Sequence, residues 1–152
     1  MKRILLRTFK TDDLHYANPG MYDLFMNAGI NGPAYTGYDA TNEDAGHADE
    51  DAEIVFCCGV RNIFEHSGEA WFVFSPIGKQ YVRTFEVIRD LLHHHIIPRY
   101  RYKRVQATAD LGVPETVRFL EHLGFEREGI LRAYGATGQD MAMYAVVPGR
   151  KR

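Results

Sequence analysis

The chain has 152 residues, 45% of them hydrophobic and 25% charged, with a formal net charge of −2. That length and balance fit one ordinary globular domain, residues 1–152, with enough apolar material for a single core. The charge excludes a general electrostatic drive toward nucleic acid or membrane, and no run of about eighteen apolar residues offers a membrane span.

Residues 2–9, KRILLRTF, read as a first strand. Its only apolar run is Ile4-Leu5-Leu6, too short for the core of a signal peptide. Thr11-Asp12-Asp13 is a helix-start signal, with Thr11 or Asp12 as N-cap. Leu14, Met21, Leu24, Phe25 and Met26 keep a helical pattern interrupted at Asn18-Pro19-Gly20. Two short helical pieces are expected, the second over Met21–Ala28, closed by Gly29 and Gly32-Pro33.

Ala34–Ala40 reads as a strand, and Thr41–Asp51 as an acidic connecting loop. Ala52–Asn62 gives a long strand holding Cys57 and Cys58, whose side chains point to opposite faces. They have no CxxC spacing, so no disulfide framework is expected and a reducing cytoplasm fits. After the turn Glu65–Gly68, Glu69–Ser75 is the most apolar strand, as suits a central strand covered on both faces. Pro76-Ile77-Gly78 breaks it.

Lys79–Ile97 is an amphipathic helix with Val82, Phe85, Ile88, Leu92 and Ile96 at three–four spacing, ended by Pro98. His93, His94 and His95 are consecutive, about 100° apart on an α-helix, and cannot converge on one metal. One packed and two solvated histidines are expected, and no metal site. Arg99–Arg104, RYRYKR, interleaves cations with tyrosines, a pattern that grips nucleic acid by phosphate contact and stacking. It is six residues in an acidic chain, so a solvated corner is expected instead, and nucleic acid is not among the expected partners. Arg101–Leu111 gives another strand.

The stretch Pro114–Gly129, PETVRFLEHLGFEREG, carries the densest local signals. Pro114 and Glu115 suit a first helical turn. Gly124 stands where a C′ glycine ends the helix, and Phe125 returns the chain to the core. RFLEHLGFEREGILR (Arg118–Arg132) resembles the C-terminal motif of the GNAT acetyltransferases, close to R-x-Y/L-E-K-x-G-F-x-x-E-G. Ala133–Val147 reads as that family's last hairpin. Leu120, where many members have Tyr, is similar to the ribosomal-protein N-terminal acetyltransferase branch.

The element order β, α, α, β, β, β, α, β, α, β, β independently implies a mixed α+β fold, a largely antiparallel sheet flanked by helices on both faces. The resemblance implies the same fold. It further implies that the strands ending near Ser75 and Asp110 run parallel and part, with acetyl-CoA between them and its pyrophosphate at the start of the long helix.

The family's pyrophosphate turn usually reads Q/R-x-x-G-x-G/A. Across Phe74, Ser75, Ile77, Gly78, Lys79 and Gln80 this chain keeps only the first glycine, Gly78. Ser75 stands for the Gln or Arg and Gln80 for the second small residue. Helix-start amides still offer partial positive charge there, and Lys79 adds a cation. Acetyl transfer to an amine needs a base, and Leu120 cannot move a proton. Glu69 and Asp110 are the carboxylates placed for that role.

Two functions are expected from this. One is an acetyl-CoA-dependent N-acetyltransferase acting on a small-molecule or protein amine. The other is a non-catalytic scaffold, because CCGVRNIFEHSGEAWFVFSP also resembles the acetyltransferase-like proteins among phage virion genes. Phage structural proteins would then be its partners, and host cytoplasm or the virion its place. A homo-oligomer is compatible with either.

Overall fold

A computed structural model describes residues 3–17, 31–40, 53–78 and 83–150 of the protein. The expected helical piece Met21–Ala28, the acidic loop Thr41–Asp51, and Lys79, Gln80, Tyr81 and Val82 lie outside the described residues.

Seven strands form one sheet: β1 (Ile4–Thr8), β2 (Ala34–Asp39), β3 (Ile54–Phe64), β4 (Ser67–Phe74), β5 (Arg104–Asp110), β6 (Glu126–Leu131) and β7 (Met141–Val146). Their order is β1-β2-β3-β4-β5-β7-β6. The pairings β1–β2, β2–β3, β5–β7 and β6–β7 are antiparallel, and β4–β5 is parallel. The protein is thus mixed α+β with a largely antiparallel sheet, as its element order predicts. No described helix is long and apolar enough to cross a membrane.

The chain divides into two compact units. The first holds residues up to Arg61 together with Trp71–Val87. Its core joins α1 (Asp13–Ala17) to the strands through Leu14, Ala17, Cys57 and Val73, with Phe9, Ile54 and Trp71 packed against them. Phe9 meets Trp71 edge to face, ring centroids 5.3 Å apart.

The carboxylate at the helix start is not a cap. α1 begins at Asp13, and Asp13, rather than Thr11 or Asp12, is the bonded residue. It takes two guanidinium N–H groups of Arg7 at 2.7 and 2.8 Å, the amide of Lys10 at 2.8 Å and the hydroxyl of Thr36 at 2.7 Å. A carboxylate this buried needs that many donors. Cys57 and Cys58 are both free and buried, as strand-core residues should be. Burial pushes the Cys57 thiol up to about 12 and raises Cys58 as well.

The second unit holds Asn62–Ala70 and Ile88–Arg152. β5 alternates cleanly: Val105, Ala107 and Ala109 are buried, while Gln106, Thr108 and Asp110 are half-buried on the other face. α4 (Pro114–His122) opens with Pro114 in its first turn and stops at Gly124, which has φ 90°. Gly124 N–H donates to Glu121 O at 3.0 Å and Phe125 N–H to Leu120 O at 3.0 Å. Those two bonds make a Schellman motif, with Leu120 and Phe125 as its apolar pair.

The long helix departs from expectation in three ways. It runs as α2 (Thr84–Asp90), a π-helical segment Leu91–Ile96, and α3 (Ile97–Tyr100). Pro98 does not end it, because the proline falls in the first turn of α3, where its missing N–H costs little. The stop is Arg101, with φ 56°. Phe85 does not pack inward: it is 45% exposed, while Thr84 beside it is 1% exposed. Adjacent helical positions differ by about 100°, so one choice excludes the other. Ile88, Leu91, Leu92, Ile96 and Ile97 form the buried face. Of the histidines, His93 is half-buried against the carbonyl oxygen of Leu123, and His94 and His95 are exposed.

Candidate functional site

The end of β4 and the turn after it hold four of the six residues assigned to a cofactor, Phe74, Ser75, Ile77 and Gly78. Lys79 and Gln80 lie outside the described residues. Ser75 is buried. Its N–H and its hydroxyl both donate to the carbonyl oxygen of Val55, at 3.0 and 3.1 Å. Gly78 N–H donates to Ser75 O at 2.9 Å and closes the turn. Pro76 has no N–H. Among the described residues, the Ile77 amide is therefore the turn's one donor without a hydrogen-bond partner.

Gly78 is glycine for a reason within the protein. A β-carbon there would lie 2.5 Å from Val55 O, with Phe74 side-chain atoms at 3.4 and 3.5 Å. Its open side faces the β3 backbone, so a phosphate is not needed to explain it.

Thr84 is a residue that sequence reasoning missed. It sits in the first turn of α2, fully buried, and its hydroxyl has no hydrogen-bond partner among the described residues. A buried hydroxyl left unpaired costs about 1–3 kcal/mol. A bound oxygen acceptor would remove that cost. The available signal was a β-branched polar residue at the inward phase of an apolar helix.

The two candidate carboxylates are not a pair. Glu69 is half-buried inside β4, opposite Gln106 in the parallel ladder. Asp110 is four residues further along β5, about 13 Å at strand rise. No single proton or metal ion is within reach of both.

Asp110 is tied down. One oxygen accepts Gly112 N–H at 2.8 Å and the other accepts Gln139 Nε2 at 3.3 Å. The Gln139 carbonyl oxygen in turn accepts the Thr137 amide at 2.9 Å and hydroxyl at 2.6 Å. This chain of bonds fixes the β6–β7 turn on the C-terminal end of β5. It leaves the Asp110 carboxylate with lone pairs for a water or an amine.

Leu120 is buried in the core, and a phenol that does meet its helix is that of Tyr144. Tyr144 donates to Glu121 Oε1 at 3.2 Å and accepts from Arg127 Nε at 3.1 Å. Being wholly buried and bonded on both sides, it holds α4 on β7.

No model of a known protein family matches the sequence, and no curated protein does. Solved structures do. A variant of the spermidine N-acetyltransferase SpeG from Vibrio cholerae superposes with a TM-score of 0.70 at 16% identity, covering 95% of this chain and 93% of that one. A GNAT-family acetyltransferase from Bacillus anthracis gives 0.68 at 18% identity, covering 97% and 98%. The V. cholerae spermidine/spermine N-acetyltransferase with manganese ions gives 0.67 at 14%. At these identities the likeness is one of fold, and the fold is that of the GNAT acetyltransferases.

Proposed function

We propose that the protein is a GNAT-superfamily N-acetyltransferase, working as a single domain and moving acetyl from acetyl-CoA to an amine. The observation that carries this reading is the likeness of fold over nearly the whole chain to enzymes named as N-acetyltransferases. The amine nitrogen attacks the thioester carbonyl, the C–S bond breaks, and the thiolate takes a proton while the ammonium loses one. Ile77 N–H and the Thr84 hydroxyl are the donors with capacity for the cofactor's oxygens, on the turn formed by Phe74, Ser75 and Gly78 and continued by Lys79 and Gln80. Asp110, or Glu69 through water, takes the amine proton.

The test has two parts. Acetyl-CoA at ~100 times its dissociation constant raises stability by ~2.7 kcal/mol, read as a shift in Tm. Release of CoA thiol is then followed with a panel of amines, starting from spermidine because it is the named substrate of the similar enzymes. No shift at millimolar acetyl-CoA overturns the reading.

One observation favours a second reading, a non-catalytic GNAT-fold protein of a phage virion or its assembly. Ser75 and Gly78 are both accounted for by Val55. A turn that has kept only what packing requires is what a scaffold retains. A normal melting curve that ignores acetyl-CoA, and co-purification with virion proteins, is the expected outcome on this reading.

A further inference from the structure

We propose that the corner where the β3–β4 turn meets Arg99–Arg104 binds single-stranded nucleic acid. As six residues of sequence, RYRYKR reads as a solvated corner. Folded, it has a partner and a fixed shape. Tyr102 is 4% exposed, and its hydroxyl donates to Asn62 Oδ1 at the end of β3. The amides of Lys103 and Arg104 donate to His66 O at 2.8 and 3.3 Å, and the His66 ring meets Arg101 O at 3.1 Å.

Asn62 and Phe64 are two apart on one strand and share a face. Phe64 therefore stands on the side of β3 that Tyr102 reaches, and it is 74% exposed. The Tyr100 ring lies 6.4 Å from that of Tyr102, and the Arg99 guanidinium stands 6.0 Å from Tyr100. The exposed rings of the corner are thus Phe64 and Tyr100, the latter with a guanidinium beside it, while the buried Tyr102 fixes the corner's shape. Arg99, Arg101 and Lys103 are exposed, and none pairs with a carboxylate among the described residues. Arg104 does, with Glu128 at 2.6 Å, so it is not counted. Glu65 stands 3.7 Å from His66 in the β3–β4 turn.

Two exposed rings and three cations without a carboxylate partner among the described residues, on one corner, fit a ligand that carries flat faces and negative charge together. Single-stranded nucleic acid does, because its bases stack on rings and guanidinium planes while its phosphates meet the cations. A duplex hides its bases from Phe64. An acidic peptide satisfies the cations but has no need of the ring. The corner lies at the start of β5, whereas Asp110 is at its end, about 20 Å away at strand rise, so it is separate from the acetyl-transfer chemistry proposed above.

The experiment is fluorescence anisotropy of an end-labelled oligothymidylate of about fifteen nucleotides, titrated with the full chain between about 50 and 200 mM salt. Three phosphate contacts at about −0.7 each give a log–log salt slope of about −2. Phe64→Ala weakens binding about tenfold or more with the slope unchanged. The double variant Arg101→Ala, Lys103→Ala lowers the slope by about 1.4. All three positions are exposed, and an unchanged Tm confirms that the variants fold. The proposal is overturned if the oligonucleotide does not bind at low salt, or if Phe64→Ala binds as the parent does. It is equally overturned if a duplex or an oligoglutamate peptide competes as well as the unlabelled strand.

Discussion

The amide and the hydroxyl of Ser75 meet on the carbonyl oxygen of Val55, twenty residues earlier in the chain. Gly78 closes over the same oxygen, at a distance of 2.5 Å from where its β-carbon would be. The turn that the family resemblance assigns to a cofactor is thus first a clamp on β3. Gly78→Ala should destabilise the protein by about 1–3 kcal/mol, because the contact is with backbone and cannot rotate away. The check is the urea midpoint without any ligand. An unchanged midpoint would show that the turn relaxes freely, and would leave phosphate approach as the reason for glycine.

The helix face gives a second prediction. Ile88 is buried and Phe85 is half in solvent. Ile88→Ala should cost about 2–5 kcal/mol, as core aliphatics do. Phe85→Ala should cost well under the 3–5 kcal/mol of a buried aromatic. Reversed costs would mean that the helix is rotated by one position from the arrangement described.

What could be read from the sequence was what is decided locally. Pro114, Gly124 and Phe125 state where α4 starts, stops and re-enters the core, and all three act within a few residues of themselves. The apolar runs of β3 and β4 mark strands by composition alone. What could not be read depends on partners distant in the chain. Nothing near Ser75 reveals Val55. Nothing near Asp13 reveals Thr36, so a buried charge partner passes for part of a helix-start signal. Phe85 and Thr84 compete for one inward position: they stand three and four residues before Ile88, both fit the helical spacing, and hydrophobicity favours the wrong one. The π-helical segment has no sequence signature to set beside it.

Gly124 supplies a third prediction. With φ 90° it occupies a region that side chains with a β-carbon avoid. Gly124→Ala should destabilise by about 1 kcal/mol or more. The substitution also stresses the bond from Phe125 N–H to Leu120 O, so amide exchange at Phe125 should quicken along with the loss of stability. A neutral substitution, with exchange unchanged, would show that the helix can end without the left-handed residue.

Asp13 carries a prediction in pH. Burial by itself would raise its carboxyl, but the hydrogen bonds from Arg7, Lys10 N–H and Thr36, with the charge of Arg7, hold it below its ordinary value of 3.8. A carboxylate lowered in the folded state contributes stability that is complete above the unfolded value and lost as pH falls through the folded one. The contribution should therefore be full at pH 6 and fade below about pH 4. Asp13→Asn keeps the shape, removes the charge and leaves Arg7 without its anion. It should cost about 3–5 kcal/mol near neutrality, the range for breaking a buried pair. Because the parent loses its own ion pair in acid, the gap between parent and variant should narrow between about pH 4 and pH 2. Urea unfolding of both proteins across that range is the measurement. A gap that stays constant down to pH 2 would mean that Asp13 takes up its proton equally in the folded and unfolded states, and that acid unfolding of this protein starts elsewhere.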